Sequence, residues 1–329
     1  MVKVLLDVAA ESGGAVSVLE DYYEKVKDTN EQWLFILSGY DLLETQNIKV
    51  KRVKWIKKSW FHRLFFDLII LPIIIYRLKP KLIFSLQNTI APFTKVRQEL
   101  FLHQSLPYTS IKFKFFEEPK LWIYQNIIKI FINNSARKAD IIYVQTKWIA
   151  KELVEQTKIS PDKIKVIKTE INLLRNKKFC SAKANGKVSF FYPAAPLKYK
   201  NHQIVIESLS KLKKEELNKV EIYFTLESDM NTITCEMSKK INELSLPIHF
   251  IGYLSKIDVE KMYESSILLF PSYIETLGLP LMEARMKETP IIASDTEFSR
   301  EVLDGYDNAE FFSYDSAIEL TKIIQSEIR

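Results

Sequence analysis

The feature that most constrains the fold is an apolar run, residues 267–270, that leads into a turn and a helix start. The run predicts a buried parallel strand, and the turn after it carries Glu275 and Gly278. Pro280 occupies a natural first position for a new helix, so we expect Glu283 within the first turn of that helix. Unpaired backbone N–H groups and the positive end of the helix dipole then face the turn. The stretch therefore predicts an anion site that suits a phosphate.

The two carboxylates indicate what is joined to that phosphate. Glu283, in the helix, is placed to accept two hydrogen bonds from a cis-diol such as a ribose, and Glu275 would face the group beyond the phosphates. Two glutamates at this spacing also mark the solvated face of many helices, so the surrounding strand and turn carry the argument. The stretch predicts a nucleotide diphosphate joined to a polyhydroxylated group, with phosphate held by the backbone of Thr276, Leu277, Gly278 and Leu279.

The same residues resemble a family signature. Glu275, Glu283, the Gly278-Leu-Pro turn and the later run from Pro290 are similar to the Glu-x7-Glu signature of retaining glycosyltransferases of family 4 (glycosyl transferases group 1), of the bacterial surface-polysaccharide type. The resemblance implies an α/β protein with the GT-B fold, in which two Rossmann-like domains face a cleft. It also implies a nucleotide-diphosphate sugar as donor and transfer with retention at the anomeric carbon.

The length and the motifs predict the domain organisation. A chain of 329 residues is too long for one ordinary core and suits two domains. We expect an N-terminal acceptor-side Rossmann-like domain at 1–171, a polar, Lys-rich linker at 172–186 and a C-terminal nucleotide-sugar-binding domain at 187–310. Residues 311–329 hold a final helix, which in the family's fold crosses back to the first domain.

Composition limits the class and the partners. The hydrophobic fraction of 47% and charged fraction of 27% are typical of a globular protein. The net charge of +6 is mild, which favours an anionic ligand or membrane surface over nucleic acid. Cys180 and Cys235 stand alone, as suits a reducing cytoplasm, and the N-terminus has the pattern of a first strand and not of a signal peptide. We therefore expect a cytoplasmic protein.

Candidate residues in the first domain follow two predicted strands. Gly13 and Gly14 separate the first strand from a helix, and glycine lets a backbone approach a ligand closely. A tight turn would explain the pair equally simply, but they match the family loop that faces the donor phosphates and the acceptor. His103 follows the apolar run 100–102, at an edge where open α/β sheets bind ligands. A lone histidine is often structural, yet the string from His103 to Pro107 resembles the family's acceptor-side segment and implies a role near the transferred sugar.

Two segments combine basic and aromatic residues. Residues 51–63 lead into an apolar stretch, 64–77, which contains Asp67 and Pro72 and is shorter than the roughly 20 residues that span a bilayer. The stretch is either a core helix of the first domain or an interfacial helix whose Lys and Trp side chains rest on an anionic leaflet, and both hold if each describes one face. Residues 111–135 also combine basic and aromatic side chains. They are either an acceptor loop that touches lipid or a pair of helices with snorkelling lysines.

Candidate donor residues in the second domain follow its first strand. A lysine on a strand-to-helix turn can reach a diphosphate, and Lys200-Asn201-His202 resembles the family's Lys-Asn-His turn. This chain departs from the common pattern at Ala195, where many members have arginine, so one cation is missing or is supplied elsewhere, for instance by Lys198. Gly252 and Tyr253 resemble the turn that cradles the nucleotide base.

The expected chemistry uses His103, Lys200 and Glu275 as the catalytic group, with Asn201 beside the donor. There is no Asp-x-Asp motif and no ligand cluster, so we expect neither metal nor cofactor. The expected acceptor is a saccharide, lipid-linked or part of a growing lipopolysaccharide or capsule. Two alternatives remain open: a GT-B nucleotide-sugar epimerase, and an inactive relative that binds nucleotide sugar or a partner enzyme.

Overall fold

The computed structural model describes residues 2–10, 14–169 and 171–329. Contacts divide the chain into two compact units, Met1–Lys168 and Thr169–Arg329. Each unit alternates strands and helices around its own sheet.

The first unit begins and ends with strands. Its strands within the described residues are β1 (Lys3–Asp7), β2 (Trp33–Leu37), β3 (Ile48–Arg52), β4 (Leu82–Ser85), β5 (Gln98–Leu102), β6 (Ile141–Val144) and β7 (Ile164–Val166). Its helices are α1 (Gly14–Val26), α2 (Trp60–Phe65), α3 (Leu71–Leu78), α4 (Pro119–Ile123), α5 (Lys129–Lys138) and α6 (Lys147–Thr157). Short 3₁₀ helices lie at Lys54–Lys58 and Pro161–Lys163.

The first sheet is parallel and doubly wound. Its order is β3-β2-β1-β4-β5-β6-β7, so the direction in which strands are added reverses between β1 and β4. Leu6 pairs with Ser85, and Ser85 pairs with Leu100. Paired residues share a face, so Leu6 and Leu100 lie on the same side of the sheet. Leu6 packs in the core with Phe66 and with Leu71 and Ile75 of α3, and Leu100 packs in the core with α5, so both helical segments cover one face.

Both segments on that face contain a π-helical turn. Phe66–Ile70 joins α2 to α3 just before Pro72, and Tyr124–Ile128 joins α4 to α5. In the first of them the Leu71 N–H bonds to the Phe66 carbonyl five residues back, directly before Pro72, which has no N–H to donate to the carbonyl four residues back. The inner side of α2–α3 is buried through Phe66 and Ile75, which confirms the prediction of a core helix for that side. Eight of the apolar side chains that remain exposed on the two segments make up what we call the outer apolar face: Trp60, Phe61, Leu64, Leu68, Ile73, Ile127, Ile130 and Phe131.

None of the helices within the described ranges has both the length and the apolar character that crossing a bilayer requires.

The second unit repeats the architecture. Its strands within the described residues are β8 (Lys183–Ala184), β9 (Lys187–Tyr192), β10 (Val220–Phe224), β11 (Ile248–Phe250), β12 (Ile267–Phe270), β13 (Ile291–Ser294) and β14 (Ala309–Phe312). Its helices are α7 (His202–Leu209), α8 (Lys214–Leu217), α9 (Thr232–Glu243), α10 (Lys256–Ser265), α11 (Leu279–Met286), α12 (Glu297–Val302) and α13 (Ala317–Glu327), with a 3₁₀ turn at Lys198–Lys200.

The second sheet has the same winding. Its parallel strands run in the order β11-β10-β9-β12-β13-β14, and the direction reverses between β9 and β12. The short strand β8 pairs antiparallel with β9 through a turn at Asn185 and Gly186. Both turn residues have positive φ, 51° and 77°, which is the conformation that suits a two-residue hairpin.

Much of the predicted linker packs on the second unit. The backbone N–H groups of Leu174 and Arg175 donate to Glu260, at 2.7 and 2.8 Å, and the Arg175 guanidinium binds Glu264. Lys287, which is fully buried, contacts Glu260 at 3.1 Å and Glu264 at 3.4 Å. Residues 174–180 are thus a strap of the second unit, and the strand β8 also lies within the range assigned to the linker.

The end of the chain differs from its prediction in one boundary. Residues Ala309–Phe312 form a strand, and the final helix begins only at Ala317. That helix packs on α7, where Thr321 Oγ1 donates to the Ser208 carbonyl at 3.0 Å. The predicted crossing to the first domain stays a prediction.

Candidate functional site

Lys200 and Glu275 meet at the point where the second sheet reverses. Lys200 follows β9 and Glu275 follows β12, and these two strands are neighbours. The Lys200 ammonium forms an ion pair with Glu275 Oε1, and Ser272 Oγ donates to the same oxygen at 2.8 Å. The side chains of the pair remain 18% and 17% exposed. The structure therefore brings together two predicted residues, still partly open to solvent, where doubly wound sheets bind ligands.

Hydrogen bonds between the two loops fix this pair. The Tyr199 carbonyl accepts from the Tyr273 N–H at 3.1 Å and from Ser272 Oγ at 3.3 Å. The buried Tyr192 hydroxyl donates to the Lys200 carbonyl at 2.7 Å. Burial raises the pKa of Tyr192 well above its usual value, so this hydroxyl keeps its proton at neutral pH. The backbone on both sides of the ion pair is thus held in place.

Asn201 connects its own loop to the loops that follow β12 and β14. It lies in the left-handed region at φ 60°, and its Nδ2 donates to the carbonyls of Pro271 and Tyr314 at 3.3 and 2.8 Å. Its predicted contact with the donor stays a prediction. His202, the next residue of the motif, is a core side chain whose ring lies 4.7 Å from that of Tyr192. Burial lowers the pKa of His202 to about 3, so it is neutral at physiological pH.

Gly278 starts the helix that follows the turn. It has φ +74°, a left-handed conformation that glycine adopts without steric cost. This conformation lets α11 begin at Leu279, ahead of Pro280. Glu283 is therefore the fifth helical residue, and the expectation that it lies in the first turn is wrong, since a turn holds 3.6 residues. The segment Thr276 to Leu279 still lies directly before and at the helix start, as predicted.

Glu283 is a largely buried carboxylate. Its Oε2 accepts a hydrogen bond from the Tyr263 hydroxyl at 3.1 Å. Burial raises the pKa of Glu283 above its usual value, although the Tyr263 bond and the charge of Lys256 act in the opposite direction. The hydrogen bond fixes the carboxylate on the inner side of α11, one turn beyond the loop that holds Glu275.

Gly252 and Tyr253 follow β11 at the same edge of the sheet. Gly252 has φ +70°, and its N–H donates to the Leu226 carbonyl at 3.0 Å. The side chain of Tyr253 is 91% exposed, so its ring is accessible to a planar ligand. The carboxyl edge of the second sheet thus carries each of the candidate residues that the sequence placed in the second domain.

The first-unit candidates are described in part. Gly13 lies outside the described residues, and Gly14 is the first residue of α1. His103 directly follows β5, and its N–H donates to Asn88 Oδ1 at 2.8 Å. Burial lowers the pKa of His103 to about 4, so its ring is neutral at physiological pH and serves as a hydrogen-bonding group and not as a cation.

Asp7 is a buried carboxylate that the sequence analysis missed. It ends β1, is 1% exposed, and its Oδ1 accepts from the N–H groups of Ala9 and Ala10 at 3.3 and 3.1 Å. Burial raises the pKa of Asp7 to about 6, against the opposing effect of these bonds and of the nearby charges of Arg63 and Lys57. The signal was an acidic residue that directly follows an apolar run, residues 4–6, in the strand.

Two further observations concern ligands. A groove of about 410 Å³ lies between the end of α3 and residues 93–96, with Tyr76, Lys79 and Lys95 in its lining, and it contains none of the predicted site residues. In the part of the chain that the structure describes, His, Cys, Asp and Glu side chains form no group of three or more that could hold a metal. Metal independence stays a prediction.

Two doubly wound units with polar residues along the carboxyl edges define the class of protein: the chain has the GT-B glycosyltransferase fold, with two Rossmann-like domains. Residues 175–328 match the family model described as Glycosyl transferases group 1. The second unit thus carries a glycosyl transferases group 1 domain, and this match supports the prediction that the protein is a glycosyltransferase. A sequence comparison with curated proteins gives no significant match.

Solved structures are similar over nearly the whole chain. HepE from Anabaena, in complex with UDP-glucose, is 17% identical with a TM-score of 0.71, covering 100% of this chain and 90% of that one. Sucrose-phosphate synthase from Thermosynechococcus elongatus is 13% identical with a TM-score of 0.75, covering 99% and 89%. The lipopolysaccharide outer core galactosyltransferase WaaB is 15% identical with a TM-score of 0.68, covering 100% and 92%.

The start of α11 gives a prediction for stability. Gly278→Ala forces alanine into the left-handed region and brings its Cβ to 3.2 Å from Leu281 Cδ1. We expect a loss of about 2 kcal/mol in the free energy of unfolding, measured by urea denaturation. The left-handed backbone alone costs alanine about 1 kcal/mol, and the close contact with Leu281 adds to this cost.

The matched control is Gly305→Ala. Gly305 has φ +68°, and apart from Gly305 and its two chain neighbours no described residue has an atom within 4 Å of the added Cβ. It should lose only the backbone contribution, about 1 kcal/mol. Equal losses at the two positions would mean that Leu281 moves aside at no cost.

Proposed function

We propose that the protein is a retaining hexosyltransferase that moves a sugar from a nucleotide-diphosphate sugar to a hydroxyl of a saccharide acceptor, without a metal ion. The observation that carries the proposal is the partly exposed Lys200–Glu275 ion pair, at the reversal point of the second sheet and beside the Gly278 helix start. At one edge of the sheet, a cation and a helix N-terminus can bind the diphosphate and stabilise the negative charge that it gains as it departs. The carboxylate beside them can bind the hydroxyls of the sugar.

The geometry suggests how the ion pair responds to the donor. The diphosphate would take Lys200 as its counter-ion, together with the backbone from Thr276 to Leu279. Glu275 then loses one partner but keeps the hydrogen bond from Ser272, so it stays ordered. Its carboxylate can then accept hydrogen bonds from hydroxyls of the donor sugar. In this proposal Glu283 binds the ribose and Tyr253 stacks on the base.

Charge stabilisation supplies the proposed chemistry. As the bond to the sugar breaks, negative charge grows on the diphosphate, and the Lys200 ammonium stabilises it in the transition state more than in the ground state. A donor phosphate oxygen would guide the acceptor hydroxyl to the face that the leaving group vacates, which retains the anomeric configuration. His103 and the loop of Gly13 and Gly14 would line the transfer site. The resemblance of Glu275 and Glu283 to the retaining signature supports this course.

Uridine is the favoured base and a surface polysaccharide the favoured product. The HepE structure contains UDP-glucose, and WaaB is a lipopolysaccharide galactosyltransferase; both share the fold of this chain at low identity. These neighbours support a hexose donor and a lipopolysaccharide or capsule acceptor.

We further propose that the outer apolar face lies on the anionic cytoplasmic leaflet, where a lipid-linked acceptor would be found. The face lies on one side of the first sheet, and crossover helices run antiparallel to parallel strands, so α2 and α4 both begin near the carboxyl edge. Exposed lysines flank both starts: Lys54, Lys57, Lys58, Lys112 and Lys120. Each basic residue adds about 1 kcal/mol of attraction to an anionic surface, and the apolar side chains add to this.

The ribose role of Glu283 is tested by Glu283→Ala. The variant loses charged hydrogen bonds to the two ribose hydroxyls, so the Kd for UDP, or for GDP or ADP if the wild type prefers one of these, should rise roughly 10- to 100-fold. Isothermal titration calorimetry measures it. Glu236→Ala, an exposed carboxylate on α9, is the control and should leave the Kd unchanged. An unaltered Kd for Glu283→Ala would remove this residue from the ribose site.

The donor-phosphate role of Lys200 is tested against its neighbour Lys198. With the nucleotide sugar that gives the largest thermal shift, Lys200→Ala should lower the rate of donor hydrolysis about 100- to 1,000-fold, as expected for loss of a group that stabilises transition-state charge. Lys198→Ala should change the rate by less than about threefold. A larger loss for Lys198→Ala would instead assign the cation to Lys198, in place of the arginine that Ala195 replaces.

Membrane binding is tested by sedimentation with vesicles. The wild type should co-sediment with vesicles containing phosphatidylglycerol and much less with pure phosphatidylcholine, and added salt should weaken the binding. Phe61→Glu should lower the vesicle-partition coefficient about 10-fold or more, because Phe61 is 74% exposed on the outer apolar face. Ile318→Glu, at a side chain 59% exposed on α13, is the control. Equal partition of the two variants would contradict the assignment of the face.

A further inference from the structure

We infer that the carboxyl edge of the first sheet contains a hydroxyl-binding subsite for the acceptor sugar, in which Asp7 supplies the anionic group and Gln87 and Ser38 flank it. The inference rests on the proposed function, because it names residues of this chain that would bind the acceptor. None of the three belongs to the donor edge of the second unit.

The place in the fold is the first reason. The first sheet reverses between β1 and β4, and open α/β sheets bind ligands outside the carboxyl ends of the strands at such a point. Asp7 ends β1, and the Leu86 N–H donates to the Leu6 carbonyl at 3.0 Å, which places Gln87 next to the end of β1. Ser38 follows Leu37, the partner of Asp7 on β2. Three adjacent strand ends therefore present polar side chains over about 10 Å.

The hydrogen bonding of these side chains is the second reason. Asp7 Oδ2, Ser38 Oγ and Gln87 Oε1 are buried and have no hydrogen-bond partner among the residues that the structure describes. The three side chains are 1%, 0% and 7% exposed. A buried polar atom without a partner costs free energy, so native proteins satisfy nearly all of them. Three such atoms on neighbouring strand ends indicate a polar ligand that completes them.

The chemistry of the three atoms indicates what kind of ligand this is. Asp7 Oδ2 and Gln87 Oε1 accept hydrogen bonds only, and the Ser38 hydroxyl can donate or accept. A carboxylate repels phosphate, so the site is unlike the cationic edge around Lys200. A polyhydroxylated, uncharged molecule supplies the donors that these oxygens need, and a saccharide is such a molecule.

The charges around Asp7 keep it anionic at neutral pH. Arg63 on α2 and Lys57 on the preceding 3₁₀ helix are the charged groups that act on it, and Arg63 also binds Asp67 at 2.6 Å. Lys57 Nζ donates to the Ala9 carbonyl at 3.2 Å. The N–H groups of Ala9 and Ala10 use only Oδ1. The turn after β1 therefore needs one oxygen of Asp7, and the other is left for a ligand.

The effect of Asp7 on stability can be separated from its effect on binding. Because folding raises its pKa from 3.8 to about 6, the folded state binds the extra proton between these values, and wild-type stability falls as pH rises through that window. Asp7→Asn keeps the oxygen that Ala9 and Ala10 use and removes the charge. Its melting temperature above pH 6 should equal or exceed that of the wild type, so a loss of binding in this variant is not a loss of folding.

The test measures binding of methyl glycosides of glucose, galactose, mannose and N-acetylglucosamine to the UDP-saturated protein by saturation-transfer-difference NMR. We expect at least one to bind the wild type, with a Kd that rises as pH falls below 6. Asp7→Asn should raise this Kd at least about 10-fold and abolish its pH dependence, as expected for loss of a charged hydrogen bond. Gln87→Leu, a second variant, should also weaken binding. Asp140→Asn, at the opposite edge of the same sheet, should not.

The outcomes separate this inference from the proposed function. Equal glycoside binding by the wild type and Asp7→Asn, or no binding of any glycoside to the wild type, overturns the subsite. Loss of UDP affinity in Asp7→Asn overturns it as well, because the residue would then act on the donor. Failure of the wild type to bind or hydrolyse any nucleotide sugar overturns the proposed function instead, whatever the glycosides do.

Discussion

The candidate donor site depends on one constraint, the adjacency of β9 and β12 in the second sheet. Lys200 and Glu275 are 75 residues apart in sequence, yet the loops that carry them follow neighbouring strands. Crossovers leave a doubly wound sheet in opposite directions at such a point, which is where open α/β sheets bind ligands. The ion pair, the Ser272 hydrogen bonds and the carbonyl of Tyr199 connect the two loops there. The positions of Lys200 and Glu275 follow from that adjacency.

Much of the fold could be predicted from the sequence, because parallel strands buried on both faces are continuous apolar runs. Ile267–Phe270 is the strand that was expected, and Lys200 and Glu275 lie together as their motifs implied. The start of α11 was misplaced because a left-handed Gly278 lets the helix begin before its proline, a choice of backbone conformation that the pattern does not specify. Asp7 was missed because its importance lies in burial and in an unpartnered oxygen, which only packing reveals.

The strap at 174–180 was assigned to a linker for a related reason. Its polar, Lys-rich composition is that of a loop, and the partners that order it, Glu260, Glu264 and Lys287, are distant in sequence. Burial by itself raises the pKa of Glu260, but hydrogen bonds from Leu174, Lys287 and Arg175 outweigh it and hold the pKa below its usual value. Removing one member of such a buried group leaves an uncompensated charge, which costs roughly 3–5 kcal/mol. The group therefore ties the entry of the second unit to α10 and the end of α11.

The strand order reverses in the same way in both sheets, but the polar side chains at the two reversal points differ in the partners that they have. In the second unit a cation and a carboxylate neutralise each other, so the site is stable without a ligand and can exchange one charge for a diphosphate. In the first unit the corresponding polar atoms are left without partners among the described residues, and the carboxylate is kept at a cost in stability. Selection for stability alone would replace Asp7 by an uncharged residue that caps the same turn. The unequal chemistry of two equivalent positions is therefore what the two proposals require: an anionic ligand at the second sheet and a ligand rich in hydroxyls at the first.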